Sequence, residues 1–182
     1  MTSIEILFNR IIPPADYSHR NGFSNNHIID NLSSDERVQI ENKLIENLLV
    51  SNDNLIGETL AYMKSFNALP LLRQKLESSK EPISRILLAS YIYQIRPEEI
   101  EMKDIAFSEF TNVNGKYELI SLFYTLTVFN DKRIIERIET YTNDKDYLVA
   151  YNSRTSLGKE TKELVEKERI KNKTYKPWWK VW

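Results

Sequence analysis

The chain from residue 33 to residue 158 is a run of helix-length segments, with apolar residues at helical spacing and short polar breaks between them. Segment 68–78, for example, places Leu69, Leu72 and Leu76 at positions i, i+3 and i+7. The whole chain has only 4 glycines and 6 prolines, too few for a fold built from many tight β-turns. The pattern predicts an all-α fold with about seven to nine helices, in a single domain covering residues 1–182.

Capping residues indicate where several of these helices begin and end. Ser33 and Glu36 have the spacing of a capping box, in which each side chain accepts a hydrogen bond from the other residue's backbone N–H. Pro82 suits a first helical turn, where its missing N–H is not needed. Gly158 is typical of the position after a helix, where the backbone often turns left-handed. The helical repeats are therefore expected to occupy residues 33–158.

The two ends of the chain differ from this central region. Residues 1–32 contain two adjacent prolines and an Asn-Gly pair, so we expect an irregular N-terminal segment. Residues 159–182 are expected to form a charged helix and a tryptophan-rich tail. All three tryptophans of the chain lie in this tail, at Trp178, Trp179 and Trp182.

The segments alternate between helices that are apolar on most sides, such as 82–95 and 116–129, and helices that are apolar on one side. A helix that is apolar all round must be covered on both sides, which stacked helical hairpins achieve. The sequence 63–76 also aligns with 129–142 at an offset of 66 residues, so that Leu72 coincides with Ile138. Both observations predict an α-solenoid of antiparallel helical hairpins.

The stretch TLTVFNDKRIIERIETYTNDKDYLVAYNSRTSLG, residues 125–158, resembles one unit of the HEAT-like helical repeat proteins. Asn130-Asp131 occupies the turn of the motif, and Ser156-Leu157-Gly158 its end. Ala150 departs from the pattern, because the family often has arginine there. The resemblance implies a HEAT-like solenoid that binds other proteins. In general style the chain is also similar to immunity proteins of bacterial toxin systems.

Composition argues against several kinds of chemistry. The chain has no cysteine, only 2 histidines, and no glycine-rich phosphate loop or nucleophile motif, so we expect no catalytic residue, no metal site and no cofactor. No apolar stretch reaches the roughly 18 residues that span a bilayer, and no signal peptide is recognisable, which predicts a cytoplasmic protein without a membrane span.

The distribution of charge along the chain indicates which kind of partner it would bind. Residues 169–182 contain five basic residues and no acidic one, while the whole chain has a net charge of −1, so residues 1–168 carry −6. An acidic body argues against nucleic acid and favours a basic protein partner.

Three groups of residues are candidates for binding a partner. The first is the solvated face of the outer helices, with Arg73, Gln74, Glu136 and Arg137. The tryptophans of the tail form the second group, as a structural plug, a binding anchor or, least favoured, a membrane-surface contact. Five tyrosines on the first helices of successive hairpins form the third, either as an exposed ladder or as core: Tyr62, Tyr91, Tyr93, Tyr124 and Tyr151.

The sequence as a whole predicts a non-catalytic protein–protein interaction module, for which toxin neutralisation is one concrete role. The first alternative is an enzyme on the same scaffold, such as a HEAT-like DNA-base glycosylase, which would need a basic groove. The second is a structural protein that assembles with copies of itself.

Overall fold

The structure is a computed structural model that describes residues 2–174. All regular secondary structure within these residues is helical, which confirms the predicted all-α class. The twelve α-helices in this range exceed the seven to nine expected. They are α1 (Ser3–Ile11), α2 (Tyr17–Arg20), α3 (Asn26–Asp30), α4 (Ser34–Val50), α5 (Asn54–Tyr62), α6 (Leu69–Ser78), α7 (Pro82–Ile95), α8 (Glu101–Phe110), α9 (Lys116–Thr127), α10 (Lys132–Glu139), α11 (Tyr147–Ser156) and α12 (Lys162–Thr174).

The predicted capping residues occupy the expected positions. The Glu36 backbone N–H donates to the Ser33 hydroxyl at 3.3 Å, and the Ser33 N–H donates to the Glu36 carboxylate at 2.9 Å. Pro82 is the first residue of α7. Gly158 follows α11 with φ +65°, a left-handed conformation that glycine adopts without steric cost.

The chain divides into two compact units, Met1–Ala106 and Phe107–Trp182, and the division falls within α8. In the first unit α4 packs on α5 and α6, and α7 packs on α5 and α6. Its core contains fully buried aliphatic side chains from each of these helices, among them Leu44, Leu60, Leu72, Ile86 and Ile92.

Residues 1–32 contain three helices, although an irregular segment was expected there. Two of them, α2 and α3, are single turns that tertiary contacts hold in place. The Arg20 guanidinium binds both carboxylate oxygens of Asp53 at 2.6 Å. The Asn25 amide, which is 4% exposed, donates to the Thr59 hydroxyl at 2.7 Å. These partners lie more than thirty residues away in sequence, so local patterning does not reveal them.

The second unit is built around α9, α10 and α11, each of which contacts the other two, and α12 packs on α11. Three phenylalanines, Phe110, Phe123 and Phe129, are completely buried together with Ile134 and Ile138 of α10. The Tyr141 ring lies 5.5 Å from the Phe123 ring and 6.3 Å from the Phe110 ring, measured between centroids. An aromatic cluster therefore forms much of this core.

Candidate functional site

The first two residues predicted on the outer helices lie on α6, in the first unit. Arg73 forms an ion pair with Glu99, whose side chain is 15% exposed, so the guanidinium is engaged within its own unit. Gln74, the next residue, is exposed to solvent. Of this pair, Gln74 is the side chain that stands in solvent.

The other two predicted residues lie on α10, in the second unit. Glu136 is exposed and pairs with Lys132 at 3.6 Å, one helical turn away. The Arg137 guanidinium lies over the Phe110 ring at 5.4 Å from its centroid, and its buried Nε has no hydrogen-bond partner among the described residues. Arg137 thus packs against the aromatic core, while Glu136 stands in solvent.

The remaining predicted binding residues are the tryptophans of the tail. Trp178, Trp179 and Trp182 lie outside the described residues. Within residues 2–174, no group of three or more histidine, aspartate or glutamate side chains is placed to hold a metal ion.

The five tyrosines considered in the sequence fall into different environments. Tyr91 is 3% exposed, and its ring lies against Gly57, where a Cβ atom would come within 2.4 Å of the ring. Tyr62 is 39% exposed, and its hydroxyl donates to the carboxylate of Asp30 at 2.8 Å. Tyr124 is 47% exposed. Neither a continuous ladder nor a continuous core therefore describes all of these residues.

One face of α9 exposes apolar and aromatic side chains. Tyr117 is 74% exposed, Tyr124 47% and Val128 40%. These residues stand at positions i, i+7 and i+11, so they lie along one side of the helix. The opposite side carries Leu122 and Phe123, both of which are buried. The amphipathic pattern of α9 is thus satisfied on its inner side, and two tyrosines remain in solvent on the other.

The adjacent helix α11 continues this surface. The Tyr124 hydroxyl lies 3.4 Å from Oδ1 of Asn152, and Leu148, one turn before Asn152, is 40% exposed. At the start of the two helices the Lys116 ammonium lies 2.7 Å from the Asp146 carboxylate. One contact joins the starts of the two helices and the other joins positions about two turns further along both, so α9 and α11 run parallel. We call Tyr117, Tyr124, Val128, Leu148 and Asn152 the tyrosine surface.

Charged groups border the tyrosine surface at the start of α9 and α11. The Lys116 ammonium lies 5.4 Å from the centroid of the Tyr117 ring, which places a cation on the ring's electron-rich face. The hydrogen bond from Lys116 lowers the pKa of Asp146, whose carboxylate is therefore ionised at neutral pH. Glu118 is exposed beside Tyr117, and its carboxylate accepts a hydrogen bond from the Gly115 N–H.

No family model matches the chain, and no solved structure matches it. Among curated proteins, the chain is similar to the glutamyl-tRNA reductase of Prochlorococcus marinus (strain MIT 9215), with 27% identity over 143 residues. The match covers 77% of this chain but 31% of that protein, so the chain spans under a third of the length of this relative.

Among the helices of residues 2–174, none is both long enough and apolar enough to cross a lipid bilayer.

Proposed function

We propose that this chain is a non-catalytic protein-binding module with a HEAT-like α-solenoid fold, and that its tyrosine surface binds a basic segment of a partner protein. The observation that carries the proposal is the exposure of two tyrosines on the outer side of α9, beside the parallel helix α11. Neutralisation of a basic toxin is one role that such a module fits.

The pattern of helix contacts supports the solenoid part of the proposal. In the first unit, α5 contacts both α4 and α7, and α6 contacts both α4 and α7. In the second unit, α9 likewise contacts both α10 and α11, the two helices that follow it. A helix that touches its first and second neighbours along the chain is the arrangement expected where helical hairpins stack in sequence.

The internal repeat gains support from backbone geometry. Among the described residues, two that are not glycine have positive φ, Lys64 at 56° and Asn130 at 45°. They are separated by 66 residues, the offset at which the sequence aligns with itself. Each follows the first helix of a hairpin and precedes the second. Since side chains other than glycine rarely adopt this conformation, its recurrence at equivalent turns favours two copies of one structural unit.

A protein partner suits the composition of the tyrosine surface. Tyrosine is enriched at protein interfaces because its ring has a large apolar area and few rotatable bonds, while its hydroxyl forms hydrogen bonds. A fully buried tyrosine loses about 150–250 Å² of accessible area, and Tyr117 and Tyr124 still expose 74% and 47% of theirs, which a partner could cover. Leu148 and Val128 add apolar area at the margin, and Asn152 adds a hydrogen-bonding group.

A basic partner suits the charges around it. A cation is attracted to the electron-rich face of a tyrosine ring, as the Lys116 ammonium is to the ring of Tyr117. The exposed Glu118 carboxylate lies at the start of α9, while Asp146 is paired with Lys116, and residues 1–168 carry a net charge of −6. Such a charge accelerates the approach of a basic chain and disfavours an acidic one.

The experiment is a selection of peptides from a random display library against the full chain, followed by measurement of dissociation constants for the selected peptides. We expect enrichment of arginine and lysine. The double variant Tyr117→Ser/Tyr124→Ser should weaken binding by about thirtyfold, since two tyrosines at an interface centre contribute about 1 kcal/mol or more each.

Two control variants make this test specific. Tyr17→Ser removes a tyrosine that is 80% exposed in the first unit and should leave binding unchanged. The variant Gln74→Ala/Glu136→Ala removes the solvent-exposed residues of the outer helices. If this variant loses affinity and Tyr117→Ser/Tyr124→Ser does not, the interface lies on the outer helices and the proposed location is wrong. Enrichment of acidic peptides in the selection would contradict the proposal that the partner segment is basic.

A further inference from the structure

A cavity of about 320 Å³ opens in the first unit, among helices α5, α6 and α7 and the loop that joins α4 to α5. This volume lies near the lower end of the range for small-molecule sites in proteins, about 300–1,000 Å³. The wall contains one ammonium group, several hydroxyl groups and a floor of leucine side chains. Of the residues discussed above as partner-binding candidates, Tyr91, which is buried, lines it.

The ammonium group belongs to Lys75 of α6. Its Nζ donates to the carbonyl oxygen of Ser51 at 3.1 Å and to Oδ1 of Asn52 at 3.2 Å. Both acceptors belong to the loop that forms one side of the cavity, so they fix the position of a side chain that is otherwise flexible. A lysine ammonium has three N–H donors. The third has no acceptor among the described residues and remains available to a ligand.

The charge of Lys75 is not compensated by the cavity wall. The wall contains a single carboxylate, that of Asp53, and Arg20 binds both of its oxygens at 2.6 Å. Arg20 therefore neutralises Asp53, and no ion pair joins Lys75 to an acidic side chain among the described residues. Within the wall, Lys75 is thus the charged residue without a paired opposite charge, and Glu58, whose charge acts on Arg20 and Asp53, lies outside the wall.

The floor of the cavity is apolar. Leu48, Leu87 and Leu88 contribute aliphatic side chains, and the ring of Tyr91 lies across the backbone of Gly57. The Tyr91 hydroxyl donates to the carbonyl oxygen of Asn54 at 3.3 Å. Burial raises the pKa of Tyr91, so its phenol stays neutral and adds no charge to the wall.

We propose that this cavity binds a small monocarboxylate with a short apolar or aromatic group. The carboxylate would accept the free N–H of Lys75, with the Ser79 hydroxyl nearby, and the apolar group would lie on Leu87 and Leu88. At about 30 Å³ for each water-sized group, the cavity has room for about ten non-hydrogen atoms. Benzoate and hexanoate are of this size. The inference is independent of the proposed protein interface, which lies in the other unit.

The single cation favours a carboxylate over a phosphate monoester. A phosphate monoester carries close to two negative charges at neutral pH, and proteins usually bind it with arginine or with several donors. Here one ammonium faces the cavity. A carboxylate with one charge balances it, and the leucine floor then favours an apolar group over a sugar or a second charged group.

The test uses the full chain and four probes: benzoate, hexanoate, benzamide and phenyl phosphate. Amide chemical shifts are recorded by NMR during titration. We expect both carboxylates to shift the signals of Gly57, Leu87 and Leu88 in a saturable manner, and we expect benzamide to leave them unchanged. The variant Lys75→Met should weaken benzoate binding about tenfold or more, the usual effect of losing a hydrogen bond to a charged group.

Lys80→Met is the matched control, because Lys80 is exposed and does not line the cavity. It should bind benzoate as tightly as the unmodified chain. The proposal is overturned if neither carboxylate shifts the cavity signals, if benzamide binds as well as benzoate, or if phenyl phosphate binds more tightly. Equal affinity in Lys75→Met would also overturn it. The shift mapping uses the unmodified chain, so a variant that fails to fold does not affect that part of the test.

Discussion

The substitution Asp53→Asn tests whether the ion pair with Arg20 holds the N-terminal helices against the first unit. Arg20 is 22% exposed and Asp53 16%, so the pair is largely shielded from solvent. Asparagine caps a helix about as well as aspartate, and the Leu55 N–H that bonds Asp53 at 3.1 Å should keep its acceptor. The change therefore removes the charge and the acceptor of the Arg20 Nη2 hydrogen bond, Oδ2, but leaves the helix cap in place.

The expected loss in free energy of unfolding is about 2 kcal/mol, because a hydrogen bond to a charged group contributes about 1.5–3 kcal/mol. For a chain of this length, that loss lowers the melting temperature by about 4–8 °C. Arg20 keeps its bonds to the Pro13 carbonyl oxygen at 3.1 and 2.6 Å, which limits the damage. The assay is urea and thermal unfolding followed by circular dichroism.

The pH dependence follows from the same pair. The hydrogen bond from Arg20 lowers the pKa of Asp53 in the folded chain, so the folded state binds a proton less readily than the unfolded state, whose aspartate pKa is about 3.9. The stabilisation is therefore complete well above that value and disappears as pH falls through the folded pKa. The difference between the unmodified chain and Asp53→Asn should be constant from neutral pH to about pH 5 and shrink below about pH 4.

The control is Asp16→Asn, which changes an exposed aspartate that also caps a helix and pairs with His19. It should melt close to the unmodified chain, since solvent screens an exposed pair. A melting temperature for Asp53→Asn within about 1 °C of the unmodified chain would refute the reasoning, because a shielded pair of this geometry should cost several degrees. So would an equal loss in Asp16→Asn.

Three further substitutions test other parts of the molecule. Gly57→Ala should destabilise the chain by about 1–3 kcal/mol, because its methyl group would overlap the Tyr91 ring. Phe123→Ala should cost about 3–5 kcal/mol by leaving a cavity in the second unit's aromatic core, as measured by urea unfolding. Tyr117→Ser/Tyr124→Ser should melt within about 2 °C of the unmodified chain, since both side chains are exposed.

Each of these three predictions can be contradicted by a specific result. Gly115→Ala is the control for Gly57→Ala, since its methyl group would meet the movable carboxylate of Glu118, and an equal loss there would show that ring overlap is not the cause. A small effect of Phe123→Ala would mean that the surrounding rings collapse into the space. A large drop in the melting temperature of the double tyrosine variant would assign those rings to packing rather than binding.

The features that the sequence predicts correctly depend on neighbouring residues. A capping box needs Ser33 and Glu36 three positions apart, and the start of α7 needs Pro82 in a first turn. The apolar spacing of α6 and α10 likewise specifies which side is buried. Local chemistry determines all of these, so they can be read without a structure.

The features that the sequence does not reveal depend on distant residues. The single turns α2 and α3 are held in place by hydrogen bonds from Arg20 to Asp53 and from Asn25 to Thr59. Both partners follow α4 in the sequence, more than thirty residues away. Tyr91 is buried, unlike Tyr124, because Gly57 leaves room for its ring on the neighbouring helix. The cavity around Lys75 combines several separate segments, and no single stretch indicates it.

The proposed partner-binding site is tested most directly by hydrogen–deuterium exchange of the full chain with and without a selected basic peptide. The proposal predicts slower exchange in α9 and α11, centred on the turns that carry Tyr124 and Leu148, and unchanged exchange in α6 and α10. Protection confined to α6 and α10, or to residues 175–182, would contradict it and would place the interface on the outer helices or on the tryptophan tail.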